Sequence, residues 1–301
     1  MSDYEVITLT DGHVTVRLTP QAGAIIDAYY HKIPFMRPQP EKNKKNFDVL
    51  NMAGFALIPF GNRLKGNKFV FNGNRYQFKA NTVTDPYYLH GDAWLADWAV
   101  TGKYQNEVSL QYSCEENQTT PYRYLTKQKI LLQNNKLIIH LSVTNKAADP
   151  MPFGLGYHPY FPRTTETKLR AKSQYMYNEK KDFLSGEIMA KTKALDFYDA
   201  QPLPKRWVNN SFAGWNGAAQ IIWPENGLQL DMTAYPSFKY YHLFVPNKQF
   251  DTNYNDDYFC FEPSTHAANA HHRLNFAGLK ILEHGETLAG IMIFKPKLIL
   301  N

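Results

Sequence analysis

Apolar and polar residues alternate with a period of two along much of this sequence, and this pattern restricts the fold more than any other feature. The segment KLIIHLSVTN (136–145) places Leu137, Ile139 and Leu141 on one face, as a strand with one buried face requires. The segment HVTVRLTP (13–20) alternates in the same way. The sequence therefore predicts many strands, each with one face in a core.

Turn signals separate these runs. Asp-Gly at 11–12 lies between YEVITLT and HVTVRLT, and Asn-Gly at 72–73 lies between NKFVF and NRYQF. Both dipeptides tolerate the positive φ angles of tight hairpin turns. The segments QNNK (133–136) and PENG (224–227) are predicted to join further pairs of strands.

Helical periodicity is nearly absent, and the best helical candidate is a short piece at 47–57. Many short strands with frequent turns are typical of an antiparallel sandwich or barrel. The length of 301 residues favours a large sandwich of two extended sheets over a small barrel. No Ser/Gly-rich or Pro-rich linker divides the chain, so we predict one all-β domain spanning residues 1–301.

Charge and hydropathy exclude several classes of protein. The net charge of +6 comes from scattered basic residues, with EKNKK (41–45) as the densest cluster, so we expect no nucleic-acid partner. No segment approaches the roughly 18 apolar residues of a membrane span, and the N-terminus lacks the regions of a signal peptide. We expect a cytoplasmic protein without a membrane partner, in which Cys114 and Cys260 are buried free thiols.

Four short segments combine one ionisable residue with Gly, Pro or aromatic neighbours. Each lies at or just past a strand-like run, where a side chain reaches a cleft. Glu262 is the most informative, because a carboxylate between an apolar run and a proline is either paired or part of a site. Each residue alone also has a structural interpretation: an ion pair between Glu262 and Arg63, a turn residue for His90, and a hydrogen-bonded core histidine for His158. The segments are PFGNRLKG (59–66), YLHGDAW (88–94), GYHPYF (156–161) and FCFEPST (259–265), which carry Arg63, His90, His158 and Glu262.

In this order, the segments NRLKGNKFVFNGNRYQF, LHGDAWLADW, FGLGYHPYF and FCFEPSTHAANA resemble the aldose 1-epimerases, also called galactose mutarotases. The resemblance covers most of the chain, from about residue 50 to about residue 290. It implies a galactose mutarotase-like β-supersandwich with an open carbohydrate cleft. It also implies an isomerase that interconverts the α and β anomers of a free aldohexose.

The resemblance assigns His158 as the general acid and Glu262 as the general base. Opening a cyclic hemiacetal requires that the C1 hydroxyl lose a proton while the ring oxygen gains one. A protonated imidazole and an ionised carboxylate suit these tasks near neutral pH, and each transfer contributes about 10²–10⁴-fold. On reclosure the roles reverse, so no net proton is consumed and no cofactor is expected.

The resemblance also assigns the residues that hold the sugar. Arg63 and His90 correspond to the family's substrate-binding arginine and histidine, with Asn62 beside Arg63. Apart from the resemblance, four aromatic residues near the motifs are candidates for packing on the apolar face of a sugar, with core packing as the alternative interpretation of each: Trp94, Trp215, Tyr160 and Phe161. The family pattern expects an aspartate where this chain has Asn209, in WVNNSFAGW. An amide accepts a hydrogen bond but carries no charge, so this difference leaves the identity of the sugar open.

Metal binding is the weaker interpretation of the histidines near the C-terminus. Adjacent residues of a strand point to opposite faces, so His271 and His272 do not converge with His266, and no carboxylate follows at a diagnostic spacing. We expect no metal site. The expected partner is a small-molecule sugar, and the sequence is compatible with a monomer or a homodimer.

Three alternatives to a mutarotase of free sugars remain open. The first is an epimerase of a phosphorylated hexose, for which Lys205 and Arg206 are candidate phosphate ligands. The second is a sugar-binding or regulatory protein without turnover, although both proton-transfer residues are present. The third is a glycoside-cleaving enzyme, which needs two carboxylates about 5–10 Å apart.

Overall fold

A computed structural model describes residues 4–40 and 47–299, and its regular structure is almost entirely β. The strands are short, as the turn signals predict. They are β1 (Ile7–Asp11), β2 (Val14–Leu18), β3 (Ile25–Tyr30), β4 (Ile33–Met36), β5 (Gly54–Leu57), β6 (Arg63–Leu64), β7 (Lys68–Phe71), β8 (Asn74–Gln77), β9 (Tyr88–Leu89), β10 (Ala99–Lys103), β11 (Glu107–Cys114), β12 (Tyr124–Gln133), β13 (Lys136–Asn145), β14 (Met151–Phe153), β15 (Gly156–Pro162), β16 (Lys168–Ala171), β17 (Tyr175–Glu179), β18 (Ser185–Met189), β19 (Gln201–Pro202), β20 (Val208–Ala213), β21 (Ala218–Trp223), β22 (Leu228–Tyr235), β23 (Tyr240–Val245), β24 (Tyr258–Ser264), β25 (Lys280–Leu282) and β26 (Thr287–Leu298).

The helical content of the described residues is limited to short 3₁₀ turns. The predicted helix at 47–57 is wrong: a single 3₁₀ turn at Val49–Asn51, capped by the side chain of Asp48, is followed directly by strand β5. Since every residue of β5 is buried, tertiary packing overrides the weak local helical pattern there. The other 3₁₀ turns are Lys65–Asn67, Ala93–Leu95, Lys181–Phe183, Lys193–Leu195, Pro224–Asn226, Ala270–His272 and Leu274–Gly278.

Two large antiparallel sheets form the framework. The first sheet has the order β1-β2-β3-β5-β15-β24-β23-β20-β17-β18, with β4 paired to β3. The second has the order β10-β11-β12-β13-β26-β22-β21-β16-β19. Three two-stranded pairs, β6-β9, β7-β8 and β14-β25, lie outside these sheets. The prediction of an all-β antiparallel sandwich is confirmed.

The predicted turns are confirmed at each position. The chain reverses at 11–12 between β1 and β2, and at 72–73 between β7 and β8. Asn134 and Asn135 have φ angles of 53° and 57°, and Gly227 has 58°. These positive angles explain why Asn and Gly occupy the tips of the hairpins.

Both faces of the first sheet are buried near its centre, and alternate residues belong to different cores. Tyr157, Phe161 and Phe261 belong to the main core, which contains residues of both sheets. Tyr160 and Cys260, which point the other way, belong to a second cluster on the opposite face. Because successive side chains alternate between the faces of a sheet, His158 and Glu262 also lie on this second face.

In the part of the chain that the structure describes, no helix has the length and apolar character needed to cross a bilayer. Cys114 and Cys260 are free and buried, as predicted.

Candidate active site

Four neighbouring strands place the central residues of the site in one cross-strand row. The pairs Gly156–Ser264 and Tyr160–Cys260 lie on either side of His158 and Glu262, so these two residues face each other across β15 and β24. On β5, Phe55 pairs with His158, and on β23, His242 pairs with Glu262. Cross-strand neighbours of this kind are close enough for direct contact.

His158 and Glu262 are in contact: Nε2 of His158 lies 3.3 Å from Oε1 of Glu262. Residues 104 positions apart in the chain are thus joined by sheet pairing. Only 7% of His158 and 3% of Glu262 is exposed, and burial in a medium of low dielectric constant disfavours the charged form of each group.

Burial shifts the two pKa values in opposite directions. It lowers the pKa of His158 to about 3, with His242 and Arg37 adding to the effect. It raises the pKa of Glu262 to about 8, against the opposing influence of Arg63. The expected pair of protonated imidazole and ionised carboxylate is therefore not the form that burial favours. At neutral pH the pair holds one proton, and burial favours its location on Glu262.

A second structural unit brings Asn62, Arg63 and His90 to the same place. Arg63 pairs with Leu89 between β6 and β9, and the backbone N–H of His90 donates to the carbonyl oxygen of Asn62 at 3.1 Å. The N–H of Asn62 donates to Nδ1 of His90 at 3.1 Å. Since Nδ1 accepts, neutral His90 carries its proton on Nε2 and offers a donor there. Burial lowers its pKa well below the ordinary value and so favours this neutral form.

Arg63 is held rather than free. Its Nε donates to Oδ2 of Asp85 at 2.7 Å, and its guanidinium lies 5.1 Å from the ring centre of Phe183. The sequence-based alternative of an ion pair between Arg63 and Glu262 is not observed. Such buried pairing keeps the guanidinium in one orientation on the cavity wall.

Backbone contacts hold the segment that carries Asn62 and Arg63. The N–H of Gly61 donates to Nε2 of His266 at 3.0 Å, and the N–H of Lys65 donates to Oδ1 of Asn269 at 3.1 Å.

The position after His90 requires a glycine, both because of its backbone conformation and because there is no space for a side chain. Gly91 has φ of +72°, and a Cβ atom there would lie 2.0 Å from the carbonyl oxygen of Ile58.

The assignment of Trp94 to direct sugar contact is corrected. Trp94 is buried and stacks on Phe55 with ring centres 5.3 Å apart, and its Nε1 donates to the carbonyl oxygens of Leu89 and Gly91. It therefore supports the segment that carries His90 from behind. Among the other aromatic candidates, Tyr160 lies on the cavity wall, whereas Trp215 and Phe161 belong to the main core.

Asn209 lies on the cavity wall, and its amide is also bonded to two other side chains. Its oxygen lies 2.7 Å from Nε2 of His242, and its nitrogen donates to Oε1 of Glu179 at 2.6 Å. Trp207 donates to the other oxygen of Glu179 at 2.7 Å. Asn209 is thus a link between a carboxylate and the imidazole of His242. The pKa of His242 is lowered to about 3 by burial and by Arg63, which keeps the ring neutral.

Restoring the family's aspartate is expected to be harmful in this chain. Asn209→Asp would place a carboxylate against that of Glu179, and we expect it to destabilise the fold by roughly 1–3 kcal/mol, because a close donor–acceptor pair becomes two acceptors. Thermal unfolding measures the effect. The double variant Asn209→Asp with Glu179→Gln should recover most of the loss, since a donor is restored. No recovery in the double variant would contradict this account.

Sequence reasoning missed His242, Glu179 and Arg37. The signal for His242 was available: YYHLF (240–244) is an aromatic, apolar strand with one ionisable residue, as in GYHPYF. Glu179 ends a strand, and Arg37 follows one, without any distinguishing neighbours. Their roles follow from which strands are adjacent, and spacing along the chain does not reveal this.

The predicted site residues other than Trp94, together with His242 and Arg37, line one cavity of about 980 Å³, which is within the size range of small-molecule sites. His158, Glu262, Arg63, His90, Asn62 and Asn209 all lie on its wall. Lys205 and Arg206 are exposed and are not among the residues that line it.

Within the described residues, no group of three or more His, Cys, Asp or Glu side chains is arranged to hold a metal ion. Two of the three histidines considered for this role form other hydrogen bonds. His266 accepts from Gly61, and Nε2 of His271 lies 3.1 Å from the hydroxyl of Tyr122.

Comparison with known proteins agrees with the family resemblance of the sequence motifs. The sequence profile of the aldose 1-epimerase family matches residues 5–295. The uncharacterised protein YphB of Escherichia coli K12 is 37% identical over 288 residues, which are 95% of this chain and 97% of YphB.

Solved structures show the same similarity. An Escherichia coli K12 protein, provisionally described as an aldose 1-epimerase, superimposes with a TM-score of 0.93 at 35% identity, covering 98% of this chain and 99% of its own. A galactose mutarotase-like protein of Clostridium acetobutylicum has a TM-score of 0.82 at 19% identity, covering 98% and 96%, and shows likeness of fold alone. The protein belongs to the aldose 1-epimerase family.

Proposed function

We propose that this protein interconverts the α and β anomers of an aldose whose C1 hydroxyl is free. The observation that carries the proposal is the contact of 3.3 Å between His158 and Glu262 on the wall of one cavity. The ring oxygen and the hydroxyl oxygen of a hemiacetal are bonded to the same carbon, so two adjacent side chains that exchange protons can reach both oxygens.

The proposed reaction moves two protons and needs no other reagent. The shared proton first moves from Glu262 to His158 across their contact of 3.3 Å. Ionised Glu262 then takes the proton of the C1 hydroxyl while protonated His158 gives one to the ring oxygen, and the C1–O5 bond breaks to give the open aldehyde. The pair then holds its proton on Glu262, which is the form that burial favours. After rotation about C1–C2, the aldehyde oxygen recovers a proton from Glu262 and the ring hydroxyl returns one to His158.

The other residues of the cavity have binding roles in this proposal. Arg63 and His90 offer N–H donors to sugar hydroxyls, and their orientation is fixed by Asp85 and by Asn62. A fixed donor loses less conformational entropy when substrate binds, and this lowers the barrier to reaction.

Optical rotation tests the proposal directly. Freshly dissolved α-glucose or α-galactose should reach anomeric equilibrium faster with protein than without it. The acceleration should decline as the pH rises past about 8, since the pair of His158 and Glu262 then loses its shared proton. Binding of sugar without any acceleration, at any pH, would instead favour a regulatory protein.

The geometry gives less support to the alternatives. A glycoside-cleaving enzyme needs a second free carboxylate, but the other carboxylates on the cavity wall are engaged: Asp85 with Arg63, and Asp251 and Asp257 with N–H groups of their own loops. An epimerase of phosphorylated hexoses would need additional basic residues beside the cavity, and the two candidates for this role, Lys205 and Arg206, are not among the lining residues.

A further inference from the structure

A second buried cation lies on the wall of the same cavity. Arg37 is 8% exposed, and its guanidinium lies between two tyrosine rings, 3.9 Å from the ring centre of Tyr160 and 4.5 Å from that of Tyr258. Its Nη2 donates to the carbonyl oxygens of Leu50 at 2.6 Å and Met52 at 3.0 Å. The group is therefore rigidly positioned.

The donors of this guanidinium are only partly used. Within residues 4–40 and 47–299, Arg37 forms no salt bridge, and its Nε is sealed from solvent without a hydrogen-bond partner. Its Nη1 likewise has no hydrogen-bond partner among these residues, and Arg37 is one of the residues that line the cavity. Since a buried cation is normally paired, an open donor on a cavity wall indicates a place for an anion.

The position of Arg37 relative to the proposed chemistry limits where that anion sits on a sugar. The ring of His158 stacks on that of Tyr160 with centres 4.7 Å apart, so one aromatic ring separates His158 from the guanidinium. In the proposed reaction His158 serves the ring oxygen, O5. The C6 group branches from C5, which is the other neighbour of O5, so a sugar whose O5 meets His158 and whose C1 hydroxyl meets Glu262 can extend its C6 group toward Arg37.

We propose that Arg37 binds a carboxylate at C6, so that the substrate is a hexuronate. This inference rests on the proposed function. A planar carboxylate of single charge matches one guanidinium with one open nitrogen. A dianionic phosphate would require more cations, but Arg63 is paired with Asp85, and Asp251 and Asp257 add negative charge to the same wall.

Mutarotation rates of D-glucuronate, D-glucose and D-glucose 6-phosphate test the proposal. The wild type should show kcat/KM for glucuronate at least 10-fold above that for glucose. Arg37→Gln should lower this ratio at least 10-fold, mainly through KM for glucuronate. Arg206→Gln, which removes an exposed arginine outside the cavity wall, should leave the ratio within about two-fold, and it controls for loss of general positive charge.

A binding measurement on the wild type alone keeps the test independent of how well the variant folds. Methyl α-D-glucuronide cannot open its ring, and it should inhibit at least 10-fold more strongly than methyl α-D-glucoside. Equal inhibition, an equal loss for both sugars in Arg37→Gln, or a preference for glucose 6-phosphate would overturn the carboxylate assignment. If no sugar is accelerated, the proposed function fails instead, whereas tighter binding of the glucuronide would still support the subsite.

Discussion

Replacing Glu262 with Gln is expected to lower kcat for anomer interconversion by at least about 10²-fold, because an amide cannot take a proton from the C1 hydroxyl. The substitution keeps the size of the side chain and its place opposite His158, so sugar binding should persist. Polarimetry gives the rate, and isothermal titration of the sugar gives the affinity. Loss of binding together with activity would show that Glu262 holds the substrate rather than acting on it.

The same variant provides its own check of folding. The folded pKa of Glu262, about 8, lies above the ordinary value of 4.5, so its carboxyl group contributes stability that is complete below pH 4.5 and is lost as the pH rises toward 8. The glutamine variant lacks this dependence. The Tm of the variant minus that of the wild type should therefore increase from pH 4.5 to pH 8. A Tm difference that stays constant over this pH range would argue against a buried, desolvated carboxyl group.

Replacing His158 with Asn is expected to lower kcat by about 10²–10⁴-fold, because the amide offers a donor but does not exchange a proton with the ring oxygen. His140→Asn, on strand β13 of the other sheet, is a suitable control and should leave the rate unchanged.

The double variant of His158 and Glu262 is the sharper test of cooperation. Since the two residues share one proton across a contact of 3.3 Å, losing either should disable the pair, and the double variant should be little slower than the worse single variant. Multiplicative losses would contradict a shared role and would indicate two independent contributions.

Local sequence was sufficient to predict the fold class and the segments of the site. Alternation along 136–145 predicted a strand with one buried face, and β13 has this pattern of burial. The segments with Arg63, His90, His158 and Glu262 were found because Gly, Pro and aromatic neighbours are unusual around an ionisable residue in a strand. All four residues lie on one cavity.

Errors occurred where a residue's neighbours in space differ from its neighbours in sequence. Trp94 was a candidate for contact with the sugar because it lies near the motifs, yet it packs behind the segment that carries His90, on Phe55. Glu179 and His242, which bond to the amide of Asn209, were not predicted from the sequence. Neither partner is within 25 residues of Asn209 in the chain, so no short-range pattern contains this information.

Sequence alone determined that the chain forms many paired strands and carries proton donors and acceptors within or beside them, because periodicity and turn chemistry are local properties. Only the tertiary structure decided which strands are neighbours. The arrangement of the strands in turn determines which ionisable groups of the site are buried and therefore which of them are charged. The order β5-β15-β24-β23-β20 brings Phe55, His158, Glu262 and His242 into one buried row. Burial then drives the pKa of the carboxyl group upward and those of the imidazoles downward, an effect that depends on exclusion of water by residues far apart in the sequence.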